Sequence, residues 1–383
     1  MLYFDNAATT PIREEAFQAM LPFLRGRYGN PSAVYSLARE ARKAIEEARK
    51  NVARAIGADA NEIVFTSGGT EANNWVLTAL KNFEKKPHII TSSIEHHAVL
   101  HVCQGLEKDG LADITYLPVD KNGFVSPKDL SAAIRADTRL ISIMWANNEI
   151  GTIQPISELA KIAKDNGILF HSDAVQAVGH IPVDMTAIPA DFLTISAHKF
   201  GGPKAVGTLY IRKGNKLSPF IRGGAQERNR RAGTENVAGI VGMGAAIKSA
   251  QIGLAQENQR LSGLRDTLID LIEENIPKSK LNGPRGNDRL PGNVNFTFDY
   301  IEGESMLLLL DMNGCAASSG SACSSASLEP SHVLMALGVT HEHAHGSIRF
   351  SLGKINKEED LDALMTFLPK IVTQLRAMSP LAE

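Results

Sequence analysis

The stretch EIVFTSGGTEANNWVLTALKNF, Glu62 to Phe83, joins a short apolar run to a helix-like pattern through two glycines. A β-branched and aromatic run bounded by turn residues reads as a buried strand, and the periodic segment after it reads as a covering helix. The alternation continues to about residue 212 through "HIITS", "ITYLPV", "LISIMW", the helix "ISELAKIAKDNG", "ILFHSDA", "DFLTISA" and "GTLYIRK". Strands alternating with helices predict an α/β fold, with a mostly parallel sheet covered on both faces.

A chain of 383 residues is long enough for two domains. The expectation is a large α/β domain over 15–260 and a smaller α+β domain made of 1–14 and 261–383. The smaller one is read from "NVNFTF", the helix "ESMLLLLDMNG", a Ser/Gly/Ala-rich run, "SIRFSL" and a terminal helix. One long helical stretch with scattered small residues, about 235–275, reads as the connector. The segment up to about residue 55, with a helix over 36–56, is expected to pack with the C-terminal part.

A formal net charge of −2 offers no field for nucleic acid or an anionic membrane. Three widely spaced cysteines, Cys103, Cys315 and Cys323, cannot form a disulfide framework and suit a reducing compartment. No apolar run approaches the roughly 20 residues of a membrane span, and Asp5 interrupts any would-be signal sequence. The cytoplasm is the expected location.

In an open parallel sheet, ligands sit at the carboxyl ends of the strands. The segments just after successive strands are "SGGTEA", "IEHHAV", "ANNEIG", "SDAVQ" and "AHKFGG". A phosphate site at the two glycines and Thr70, the histidine His96, an amide, Asp173 with Gln176, and Lys199 beside Ser196 and His198 are thereby expected on one edge. Singly, a Gly-Gly-Thr turn is usually a tight connection, an Asp after a strand a helix cap, and a lysine a surface residue. Together, a lysine amine, an anion cradle at a helix N-terminus, a carboxylate and a histidine are what pyridoxal phosphate requires. The lysine takes the aldehyde and the helix the phosphate, while the acid keeps the pyridine nitrogen protonated so that the ring can accept electrons. His96 is placed to stack on the ring and shuttle protons.

With these residues in view, the chain resembles the cysteine desulfurases of pyridoxal-phosphate fold-type I, the aminotransferase class V group. The likeness is strongest to the nitrogen-fixation and iron–sulfur-assembly type. It runs along essentially the whole chain, through "YFDNAATTP", "YGNPSA", "FTSGGTEANN", "EHHAVL", "ANNEIGT", "HSDAVQAVG", "SAHKFGGPKAVG", "RGGAQERNRRAGTENV", "SSGSACSSASLEPSHV" and "HGSIRFSLG". The resemblance implies that Lys199 binds the cofactor covalently, Asp173 partners the pyridine nitrogen, Gln176 donates to the ring oxygen and His96 stacks over the ring. It implies that Gly69, Thr70, Ser196 and His198 hold the phosphate. Thr234, in "RRAGTEN", would reach that phosphate from the neighbouring subunit of a homodimer. Asn148 and Arg349 would bind the carboxylate end of L-cysteine, with Asn30 assisting. Cys323 would be the nucleophile that takes the sulfur as a persulfide, to be passed to an iron–sulfur scaffold or another acceptor protein.

A free cysteine is ordinarily a small buried hydrophobe. That reading suits Cys103 and Cys315, which lie in or beside apolar helical patterns, but not Cys323, whose neighbours are small and polar. "HEHAH", 341–345, would present three histidines to one face of a strand, yet nothing completes a metal site. Ala205 stands where the resemblance calls for glycine, adding a methyl beside the lysine loop. A catalytically silent relative would be expected to lack one of Lys199, Asp173, His96 and Cys323, and all four are present. Within enzymes the rival is a selenocysteine lyase; the long run around Cys323 favours the desulfurase.

Overall fold

The computed structural model describes residues 1–79, 86–319 and 329–380. Its strands are β1 (Leu2–Tyr3), β2 (Ile63–Thr66), β3 (His88–Ser92), β4 (Asp113–Leu117), β5 (Thr138–Ser142), β6 (Leu169–Asp173), β7 (Phe192–Ser196), β8 (Gly207–Ile211), β9 (Ser279–Leu281), β10 (Asn293–Phe298), β11 (Cys315–Ala316) and β12 (Ser347–Ser351). The helices used below are α1 (Glu14–Arg25), α2 (Ser36–Ala55), α3 (Gly69–Ala79), α4 (His97–Lys108), α5 (Val237–Gln251), α6 (Leu254–Asn275), α7 (Gly303–Met312), α8 (His332–Ala336) and α9 (His341–His345).

Seven strands form the main sheet in the order β2-β8-β7-β6-β5-β3-β4. β8 runs antiparallel to both its neighbours, and every other pairing is parallel. Strands β2, β3, β7 and β8 are buried at every position, which fits sequences made of apolar, β-branched and small hydroxyl residues with no acid, lysine or arginine. Among the described strands of this sheet, the edge strand β4, "DITYL", alone is half-exposed along most of its length.

A second core is built on the antiparallel sheet β12-β10-β9, with Val294, Phe296, Ile348 and Phe350 packed against Leu264, Leu268 and Ile272 of α6. Strand β1 pairs in parallel with β11, and Phe4 is buried in this second core. The expectation that the first 55 residues pack there holds only for this opening segment. α1 and α2 lie against α5 instead, and α2 sends Ile45, Ala48 and Val52 into the core of the main sheet. Small residues permit that approach: a Cβ added at Gly244 would come within 2.6 Å of Ala48 Cβ.

The connector expected as one helix is two, bent by 74° at a break where Gly253 takes φ +73°. Among the described residues no single helix is long and apolar enough to cross a membrane; α5 and α6 pass by length and composition only as a bent pair. "HEHAH" forms α9, not a strand, so alternate histidines diverge, and His341 meets His345 one turn on. Ala205 has φ +59°, the left-handed region that explains why glycine suits the position.

Candidate active site

The strand-to-helix turns place the site. A cavity of about 290 Å³ opens at the carboxyl ends of β2, β3, β6 and β7. It is lined by Gly69, Thr70, His96, Asn148, Asp173, Gln176, Ser196, His198, Lys199 and Arg349, all expected from sequence to meet there. Thr234 and Asn30 are exposed and are not among its lining residues; Asn30 Oδ1 accepts from Ser32 N–H in a local turn. Cys323 lies outside the described residues.

Lys199 ends a short 3-10 turn after β7, and its Nζ donates to the carbonyls of Ala7 (2.6 Å) and Ala8 (2.8 Å). Gln176 Nε2 donates to the same Ala7 carbonyl at 3.0 Å. The opening segment thus crosses from the second core into the site, and Thr10 fastens it there by donating to His198 O (2.8 Å) and accepting from Gly201 N–H. Sequence reasoning quoted this segment but assigned none of its residues a role, because backbone carbonyls carry no residue-type signal.

Asp173 ends β6 with 5% of its surface exposed. Its Oδ1 accepts from Val175 N–H at 3.0 Å and its Oδ2 from Asn73 Nδ2 at 2.6 Å. His96 is the N-cap of α4: its Nδ1 accepts from Ala98 N–H at 3.1 Å, so the neutral ring carries its proton on Nε2. Burial, foremost, holds the His96 pKa down; Lys199 and the histidines His332 and His101 add to this while Asp173 opposes it. The result is a neutral ring of fixed orientation. His198 is pushed down to about 4 by burial, with Lys199 and Lys204 contributing. It is therefore a neutral donor or acceptor, with Nδ1 3.2 Å from Thr9 Oγ1.

Arg349, on β12, is buried and directs its fork at Asp5 Oδ1 (2.8 Å) and the Asn148 carbonyl (2.9 Å). Sequence reasoning did not single out two buried acids, Glu149, which lines the cavity, and Glu95, which precedes His96 in the chain. Glu149 accepts from Ser331 Oγ, and burial raises its pKa against the pull of Ser331, His332 and Arg349. Glu95 accepts at Oε1 from Ser92 Oγ (2.6 Å) and Met144 N–H (2.9 Å) and is pushed up to about 8, mainly by burial. Its backbone carbonyl takes the Nε2 proton of His332 at 2.9 Å, which ties α8 to the turn that presents His96.

The turn into α3 fits a phosphate. A Cβ at Gly69 would lie 2.9 Å from Val175 Cγ2, so only glycine lets this backbone sit so close to the β6 turn. Gly69 opens a helix described over eleven residues, Gly69–Ala79, with its N-terminal N–H groups at the cavity. An anion cradle, a carboxylate, a neutral histidine and an amine share one cavity, as pyridoxal phosphate requires.

The family model for aminotransferase class-V matches residues 2–364. The chain belongs to this family. A relative from Dictyoglomus turgidum, named cysteine desulfurase IscS, is 58% identical over 381 residues, covering 99% of this chain and 96% of the relative. One solved structure, described as a NifS-like protein, matches with TM-score 0.91 at 39% identity, over 98% of this chain and 100% of that one. Another, described as SspA in complex with cysteine, matches with TM-score 0.80 at 36% identity, over 92% and 99%.

Proposed function

We propose that this protein converts L-cysteine to L-alanine and takes the sulfur onto Cys323. It is a pyridoxal-phosphate-dependent cysteine desulfurase. The observation that carries this reading is the single cavity holding Lys199, Asp173, His96 and Arg349, in a chain 58% identical to a named cysteine desulfurase.

Bound pyridoxal phosphate supplies an electron sink that makes the Cα proton of cysteine removable and the Cβ–S bond cleavable. The α3 turn, Ser196 and His198 would hold its phosphate, and Asp173 would accept from the ring N–H. Lys199 would hold its aldehyde, with Ala7 and Ala8 already orienting the amine. Arg349 and Asn148 would take the substrate carboxylate, and His96, neutral and capped at Nδ1, presents Nε2 for proton transfer. The sulfur balance is closed: the Cβ–S bond breaks with its electron pair left on carbon, which is protonated to alanine. The Cys323 thiolate bonds to that sulfur as a persulfide.

The finer assignments belong to the same proposal. The enzyme works as a homodimer in which Thr234 of the partner subunit completes the phosphate site, with Asn30 assisting at the substrate. The persulfide passes to an iron–sulfur scaffold or another acceptor protein in the cytoplasm. The chain divides into a large domain over 15–260 and a smaller one over 1–14 with 261–383. The experiment is direct: purified protein with pyridoxal phosphate and L-cysteine forms alanine, and Lys199→Ala forms none. Alanine formation unchanged in Lys199→Ala would refute the reading.

A further inference from the structure

We propose that Asn73 is a positioning residue that fixes the plane of the Asp173 carboxylate for the ring nitrogen of the cofactor. The proposal rests on the pyridoxal-phosphate reading of the site, with Asp173 at that nitrogen. Asn73 lies one turn into α3 from Gly69, lines the cavity and is 1% exposed. Its Nδ2 donates to Asp173 Oδ2 at 2.6 Å, while Val175 N–H donates to Oδ1 at 3.0 Å. Each carboxylate oxygen is thus held by one N–H from a different element, which locks rotation about the carboxylate axis. Each oxygen keeps a further lone pair for the ring N–H.

The far end of the amide shows what the side chain is for. Asn73 Oδ1 is buried and has no hydrogen-bond partner among the described residues. A buried amide oxygen without a donor is costly, and an apolar side chain of similar size would avoid the cost. Turning the amide over would set Oδ1 against the carboxylate and exchange attraction for repulsion. Packing therefore does not account for an amide here, whereas the bond to Asp173 does. The donor's neutrality matters too: a lysine or arginine at position 73 would compensate the negative charge that the protonated ring nitrogen needs. An amide orients the carboxylate and leaves its charge available.

The test compares pyridoxal phosphate with its 1-deaza analogue, in which C–H replaces the ring nitrogen while aldehyde and phosphate remain. Dissociation constants are measured by absorbance on the full-length apoprotein. Wild type is expected to prefer pyridoxal phosphate, and Asn73→Ala and Asn73→Ser to narrow that preference by about tenfold, the equivalent of one hydrogen bond. Affinity for the deaza analogue should stay within about threefold of wild type. Asn73 variants that weaken both ligands equally, or neither, would overturn the proposal, since a purely structural role leaves the ratio unchanged. Asp173→Asn separates the two layers. If it too leaves the ratio unchanged, the placing of Asp173 at the ring nitrogen fails. If it narrows the ratio while the Asn73 variants do not, only the role of Asn73 fails.

Discussion

Glu95 offers a pH experiment whose sign is set by the structure. The carboxyl is fully buried; Oε1 takes two donors and Oε2 none among the described residues, and burial pushes its pKa from 4.5 to about 8, with Asp173 adding to the rise. Between those values the folded chain keeps a proton that the unfolded chain has lost. Stability therefore falls as pH rises through this window and is flat above it. The slope for one proton is ~1.4 kcal/mol per pH unit, or ~4 kcal/mol from pH 5 to pH 8. Glu95→Gln removes the titration while its Oε1 accepts from the same Ser92 and Met144 donors. The exchanged Nε2 adds a pH-independent cost of about 1–3 kcal/mol as an unpartnered donor. The variant should accordingly be less stable than wild type at pH 5 and more stable at pH 8. Urea unfolding of both proteins at pH 5, 6, 7 and 8 measures the difference, in which the histidines common to both cancel. A difference that stays flat, or that moves against the variant as pH rises, would refute a protonated Glu95.

Ala205 holds φ +59°, so Ala205→Gly should stabilise the fold by about 1 kcal/mol, read as a raised urea midpoint. Arg49 and Glu227 form a buried bidentate pair, at 2.7 and 2.8 Å, beneath three successive left-handed residues, Glu227, Arg228 and Asn229. Glu227→Ala should cost about 3–5 kcal/mol, whereas Arg49→Met with Glu227→Met should cost clearly less than the two single methionine changes added together. The Cys103 and Cys315 thiols are buried and pushed up to about 12. Native protein at pH 7.5 should accordingly lose its fast reaction with iodoacetamide in Cys323→Ser and keep it in Cys103→Ser.

How much of this was legible depended on whether side chains carried the signal. The buried strands were readable because burial on both faces favours short β-branched and aromatic runs without acid, lysine or arginine, as in "IVFT", "HIITS" and "FLTIS". Their carboxyl ends then located Thr70, His96, Asp173 and Lys199 without further help. The direction of β8 was not readable, since "GTLYI" is equally apolar whichever way it runs. The break at Gly253 was missed because an apolar helical pattern continues on both sides of it. The hold of Ala7 and Ala8 on Lys199 is made by carbonyls, and every residue has one. The placement of α1 and α2 depended on α5, whose small residues meet Ala48 from far along the chain. Asn73 and Glu149 stood inside motifs already quoted, but a buried amide or acid is told from an exposed one only by its three-dimensional partners.

The central claim is that sulfur leaves cysteine and lands on Cys323. The most direct measurement is a single turnover with sulfur-labelled L-cysteine and no reductant, followed by peptide mass spectrometry. The account predicts one added sulfur on the peptide containing Cys323, alanine in equal amount, and neither product in Cys323→Ser, although that variant still changes its visible spectrum with cysteine. Label on Cys103 or Cys315, or alanine released at the normal rate by Cys323→Ser, would contradict it.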